Sequence, residues 1–268
     1  MKIIDSHRHY SKNEMDIDIL EKTANIYEIE KIVMFGHNAI PKHGTDVNVL
    51  EVGKKYPNLV CPYLSDLDFT KESADYVKEN LNKGFYGIGE VLVGHTGEKK
   101  PSFSHLTYAS ENVINVFKEA AKFNAPVLVH CDDFARAGFM KALEICKETT
   151  FIWAHIGYNF EKGEPFTQAE MAEITQLLEK YENLYFDISF WKYSALCMDT
   201  PDCLAALEKY NKRFIFGIDM TKDYEQWQYE RMPDYEYIFS KLSQKARENI
   251  LYNNMFSLIL KREEKMNV

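Results

Sequence analysis

Short apolar runs and longer amphipathic stretches alternate along the whole chain. Eight runs rich in β-branched and aromatic residues stand out: KIID (2–5), KIVMF (31–35), NLVCPYL (58–64), FYGIGEV (85–91), PVLVH (126–130), TFIWAH (150–155), NLYFDIS (183–189) and RFIFGID (213–219). The segments between them are long enough for helices. In SENVINVFKEAAKF, the positions Val113, Val116, Phe117, Ala120 and Ala121 recur at helical spacing behind Ser110, a candidate cap. In TQAEMAEITQLLEKY, Thr167 and Glu170 have capping-box spacing, and Met171, Ile174, Leu177 and Leu178 form an apolar stripe. From about residue 223 onward the chain reads mostly helical. Strands separated by helix-length segments predict βα units and a parallel sheet. Eight such units match an α/β fold, the (β/α)8 TIM barrel, with its site at the C-terminal ends of the strands. A doubly wound open sheet competes, but no glycine-rich dinucleotide fingerprint follows the first strand.

A chain of 268 residues suits one barrel domain over 1–268, and no linker or composition shift marks a second. The net charge of −9 lacks the basic footprint of a nucleic-acid binder. The start, MKIIDSHRHY, carries no signal-peptide apolar region, and no run reaches the length of a membrane span. Cys61, Cys131, Cys146, Cys197 and Cys203 are odd in number and form no close CxxC pair, which reads as reduced thiols. A cytoplasmic protein without membrane or nucleic-acid partners is expected.

Several predicted strands end on residues that bind metals or move protons. The first runs into DSHRH, where strand alternation puts His7 and His9 on one face and turns Arg8 away. Asp5 falls one layer below His7, as an expected partner that fixes an imidazole tautomer. The fourth strand ends at Glu90, the fifth at His130, the sixth at His155 and the eighth at Asp219. Any one of these is weak, since a lone strand-end histidine is usually structural. All six at one barrel mouth point to a divalent metal, Zn²⁺ first, with Mn²⁺, Fe²⁺ or Ni²⁺ as alternatives.

On DSHRH, Glu90, PVLVH, FIWAHIG and FGID the sequence resembles the amidohydrolase-related (amidohydrolase family 2) metal-dependent hydrolases of the amidohydrolase superfamily. NLYFDIS and the tail ILYNNMFSLI resemble that family's seventh-strand and closing-helix patterns, so the likeness spans nearly the whole chain. The resemblance implies a barrel, a bound divalent metal, Asp219 as the catalytic base and a homodimer. Many members place a lysine, or no ligand, where Glu90 stands. A glutamate there is similar to the branch in which it bridges two metals, whereas the one-metal decarboxylase branch lacks it.

The expected mechanism is attack by a metal-activated water on a small organic substrate: an amide, ester, lactone or phosphoester. His7 and His9 hold one ion and His130 and His155 a second. Glu90 bridges, and Asp219 ligates the first ion and relays the proton. With one ion instead, the enzyme is a decarboxylase of an aryl or unsaturated acid, and His130 or His155 becomes a catalytic or orienting residue. A catalytically silent barrel is a third reading, which no missing ligand supports.

Residues after the strands supply candidate substrate contacts. Arg136 is the best candidate for gripping an anion. Tyr158, Trp191 and Lys192 are weaker ones, as are Tyr193, Tyr224 and Trp227. The segment 91–106, with His95, Lys99, Lys100 and His105, is read as a lid or as a solvated excursion. His37 and His43 read as surface or locally bonded residues, with substrate contact as the alternative, and Cys131 faces away from the site.

Overall fold

The structure is a computed structural model, and it describes residues 2–11, 16–36, 45–95, 105–157, 166–189, 198–220 and 232–266. Among these residues, eight strands follow one another in chain order around one sheet. They are β1 (Ile3–His9), β2 (Ile29–Phe35), β3 (Val60–Leu64), β4 (Gly87–Gly94), β5 (Val127–Cys131), β6 (Phe151–Trp153), β7 (Leu184–Asp187) and β8 (Phe214–Ile215). Every neighbouring pair is parallel. The seam between β1 and the chain after β8 is stitched by backbone bonds: Ser6 N–H donates to Phe216 O (3.1 Å), His9 N–H to Met220 O (3.1 Å) and Asp219 N–H to His7 O (2.8 Å). The fold is the expected (β/α)8 barrel.

The outer layer holds α1 (Leu20–Ile26), α2 (Thr45–Lys55), α3 (Ser73–Leu81), α4 (Glu111–Lys122), α5 (Arg136–Ile145), α6 (Gln168–Lys180) and α7 (Pro201–Lys209). After β8 come α8 (Met232–Ser240), α9 (Gln244–Glu248) and α10 (Asn254–Met266), the last two joined by a π-helical turn. The capping box of α6 is formed: Thr167 Oγ1 accepts from Glu170 N–H, and Glu170 accepts from Thr167 N–H. Ser110 stands at the cap position of α4, but its hydroxyl accepts from Thr107 N–H instead of a helix amide.

Strand alternation sorts the apolar residues into two layers. Val33, Phe35, Cys61, Tyr63, Leu128 and Ile152 line the barrel, and Met255, Leu258 and Ile259 of α10 pack with them. Met34, Val60, Val127, Val129, Phe151 and Trp153 face the helices. Arg262 of α10 donates to Phe85 O (2.9 and 3.0 Å) and to Leu81 O (2.5 Å), on the approach to β4. That helix therefore plugs the N-terminal end of the barrel and leaves the C-terminal mouth for chemistry. Among the described residues, no helix is long and apolar enough to cross a membrane.

Some strand ends differ from the sequence-based expectation. β4 runs on to Gly94, so Glu90 sits inside the strand, in a stretch with two register shifts against β5. Conversely, β6 stops at Trp153 and β8 at Ile215. His155 lies in a short 3-10 turn just beyond β6 and Asp219 in the irregular stretch after β8, with φ of 59° and 56°. A backbone that turns left-handed ends the regular strand, which apolar patterning does not register.

Candidate metal centre

The C-terminal mouth gathers the six sequence-predicted residues. Asp219 Oδ1 lies 3.3 Å from His7 Nε2 and 3.2 Å from His9 Nε2. Glu90 stands between two pairs of histidines. Its Oε2 is 3.7 Å from His7 Nε2 and 3.6 Å from His9 Nε2. Its Oε1 is 3.1 Å from His130 Nδ1 and 3.5 Å from His155 Nε2. All four histidines and Glu90 are buried.

Local backbone irregularities aim these side chains. A register shift between Asp5 and Arg8 in β1 and those around Glu90 in β4 re-aim residues at the rim, a common use of bulges beside active sites. His155 and Asp219 adopt a left-handed conformation that non-glycine residues rarely hold, and such strain concentrates at functional positions. Gly217 lets the chain after β8 press against β1: a Cβ there would lie 2.7 Å from His7 Cβ.

The donor set fits a divalent metal. His7 Nε2 is buried, points at both carboxylates and has no hydrogen-bond partner. A tetrahedral ion with bonds of about 2.1 Å separates its donors by about 3.4 Å, close to the spacings here. Two groups, His7–His9–Asp219 and His7–Glu90–His155, each bring their donor atoms within 4.8 Å of one another. Electrostatics agree. Burial opposes charge on Asp219, but His7, His9 and His155 hold its carboxyl well below the usual range. Glu90 is likewise held low, by His7, His130 and His155 against the penalty of burial. Burial works against charge on His7 too, yet Asp219, Asp187 and Glu90 push its pKa well up. Two ionised carboxylates demand positive charge, supplied by imidazole protons or by a metal cation.

Three residues of this neighbourhood escaped the sequence reading. Asp187, at the end of β7, places Oδ2 2.7 Å from His7 Nδ1. Ser189 places its carbonyl oxygen 3.1 Å from His155 Nδ1. Asp132 places Oδ1 3.0 Å from His130 Nε2. Asp187 carries the same signal as the others, an apolar run ending on a carboxylate in NLYFD.

Two expectations are corrected. The carboxylate on His7 Nδ1, the nitrogen whose partner sets the tautomer, is that of Asp187. Asp5 Oδ1 instead accepts the backbone N–H groups of His7 (3.1 Å) and Ile218 (3.0 Å), and so ties the seam. Arg136 turns into the helical layer. It pairs with Glu173 at 2.8 Å and Asp133 at 3.3 Å and lies over the outward-facing Trp153 ring. A guanidinium in that position is committed to its own carboxylates, away from the mouth. Cys131 packs in the outer layer, as expected. His95 joins Asp132 at 3.5 Å, and His105 is exposed. Tyr158, Trp191 and Lys192 lie outside the described residues, as do His37, His43, Lys99, Lys100, Tyr193, Cys197, Tyr224 and Trp227.

Comparison with known proteins adds the family. Three solved structures show the same fold at low identity. A probable 2-pyrone-4,6-dicarboxylic acid hydrolase from Acinetobacter baumannii, with citric acid bound, is 13% identical with a TM-score of 0.64, over 97% of this chain and 99% of that one. An amidohydrolase from Burkholderia multivorans with bound zinc is 11% identical with a TM-score of 0.68, over 97% and 99%. A 5-carboxyvanillate decarboxylase from Novosphingobium aromaticivorans, complexed with manganese, is 11% identical with a TM-score of 0.57, over 92% and 81%. A comparison with curated proteins gave no match. The profile of the family described as Amidohydrolase matches residues 4–254, and this chain therefore belongs to the amidohydrolase family.

Proposed function

We propose that this protein is a metal-dependent hydrolase of a small organic substrate: an amide, ester, lactone or phosphoester. The observation that carries the reading is the split of Glu90, with one oxygen on the His7–His9 pair and the other on the His130–His155 pair. His7, His9 and Asp219 would hold one divalent ion, Zn²⁺ first, and His130 and His155 a second, with Glu90 between them. Bound ions of this kind lower the pKa of a water toward neutrality and polarise a carbonyl or phosphoryl oxygen.

The chain's own groups account for the remaining chemistry. Asp219 keeps its carboxylate ionised in the mouth and is placed to take a proton from the attacking water and return it to the leaving group. The imidazoles and the apolar barrel wall exclude bulk water below the site. Zinc in the Burkholderia amidohydrolase and the probable 2-pyrone-4,6-dicarboxylic acid hydrolase from Acinetobacter, on the same fold, support this reading. It includes one barrel domain, a small-molecule substrate, no nucleic acid or membrane partner, a cytoplasmic setting and a homodimer.

A one-metal decarboxylase of an aryl or unsaturated acid is the second reading. His130 favours it, since its ring is held between two carboxylates, Glu90 at 3.1 Å on Nδ1 and Asp132 at 3.0 Å on Nε2, as an orienting or catalytic group would be. The manganese-bound decarboxylase shares the fold.

Metal content per chain by mass spectrometry, followed by a screen of esters, lactones, amides and phosphoesters, separates the two. The hydrolase reading expects about two ions and product formed by water addition. On the substrate found, Asp219→Ala is expected to cut turnover at least about a hundredfold while much of the metal stays bound. One ion per chain with carbon dioxide released from a carboxylic acid would overturn it.

A further inference from the structure

Each of the four site histidines turns one ring nitrogen toward Glu90 and the other onto a protein acceptor. His7 Nδ1 faces Asp187 Oδ2 at 2.7 Å, His9 Nδ1 faces Gly36 O at 3.4 Å and His155 Nδ1 faces Ser189 O at 3.1 Å. In these three the inward nitrogen is Nε2. His130 is reversed: Nδ1 lies 3.1 Å from Glu90 Oε1, and Nε2 lies 3.0 Å from Asp132 Oδ1.

A neutral imidazole has one N–H and one lone pair, so the acceptor on one nitrogen decides which nitrogen is left to ligate. Asp132 follows His130 by two residues, just past β5. Its neighbour Asp133 goes elsewhere, to Arg136 at 3.3 Å. The second oxygen of Asp132 lies 3.5 Å from His95 Nδ1, just past β4, and the His95 ring packs on the His130 ring with centroids 4.1 Å apart. Asp132 thus approaches the residue that follows the strand carrying Glu90.

We infer that Asp132 is a positioning residue for His130. It accepts the Nε2 proton, leaves the Nδ1 lone pair aimed at the Glu90 Oε1 side, and thereby builds the half of the metal centre that His130 shares with His155. His95 is its brace. The inference rests on the proposed reading that His130 is a ligand. The rival arrangement is a cation held outside the pair by His95, His130 and Asp132, whose donor atoms lie within 4.8 Å of one another. It requires the opposite tautomer, with Nδ1–H donating to Glu90. The common pattern of His7, His9 and His155, each with its outward nitrogen on a protein acceptor, favours the positioning role.

Zinc-loaded protein labelled with ¹⁵N-histidine tests this by long-range ¹H–¹⁵N correlation, with His130→Gln assigning the ring. The expected spectrum carries the His130 proton on Nε2. In Asp132→Asn that signature is expected to change. By chelator competition, zinc on the His130 side should weaken by about 10- to 100-fold, while zinc on the His7–His9 side is retained. Asp132→Glu should recover part of the loss, and Asp133→Asn should leave spectrum and affinities unchanged. A proton on Nδ1 in the wild type overturns the inference in favour of the outer cation. An Asp132→Asn variant with unaltered tautomer and zinc affinity overturns it as well. If the wild type takes up a single ion, the two-ion reading fails while the tautomer still decides the role of Asp132.

Discussion

At the scale of single residues, burial gives several carboxyls unlike tasks. Asp187 and Asp132 sit on imidazole nitrogens, the carboxylate–histidine pairing that orients metal ligands. Asp46, at the start of α2, shows the opposite electrostatics. Burial, then the neighbouring Asp66, push its pKa up to about 6, although Ser65, Asp66 and Tyr76 all donate hydrogen bonds to it. An acid whose folded pKa is raised stabilises the fold in its neutral form, and that contribution fades as pH rises through about 6. Wild-type protein is therefore expected to gain about 1 kcal/mol relative to Asp46→Asn when pH falls from 7 to 5, read by denaturant unfolding at each pH. A difference independent of pH would show that Asp46 keeps an ordinary pKa.

Among elements, the join between β1 and the chain following β8 sets the geometry of the site. His7, His9 and Asp219 meet only because those two segments, from opposite ends of the sequence, bond edge to edge. Gly217 is the point of closest approach. An added Cβ would lie 2.7 Å from His7 Cβ and 3.2 Å from His7 N, and backbone-rooted atoms cannot swing away. Gly217→Ala is expected to cost about 1–3 kcal/mol and to lower bound metal per chain, measured by thermal unfolding and mass spectrometry. Full metal occupancy in that variant would show that the seam tolerates a shift of β1.

Over the whole molecule, the barrel has a plugged end and a reactive end. Arg262, buried at 1% exposure, links α10 to the carbonyls of Leu81, Phe85 and Phe123, which precede β4 and β5. Arg262→Met keeps the apolar stem but leaves three carbonyls without a charged donor, at an expected cost of about 3 kcal/mol in unfolding free energy. Metal content per folded chain should be unchanged, since the lesion lies at the far end of the barrel. Metal loss at full folding would show that the two ends are coupled.

The sequence by itself determined the eight βα units, the class of fold and the types of residue at the mouth. Periodicity is a local property, and an apolar run that stops on His, Glu or Asp is visible without any contact map. His7, His9, Glu90, His130, His155 and Asp219 were legible for that reason, and so was the capping box of α6. Tertiary structure alone decided the rest. It placed Asp187 on a histidine 180 residues away, turned Arg136 onto Glu173, moved Asp5 onto backbone amides and reversed the ring of His130. Partner choice across the barrel and rotation about a side-chain bond depend on closure of the sheet and on its bulges. Neither leaves a trace in the order of hydrophobic and polar residues.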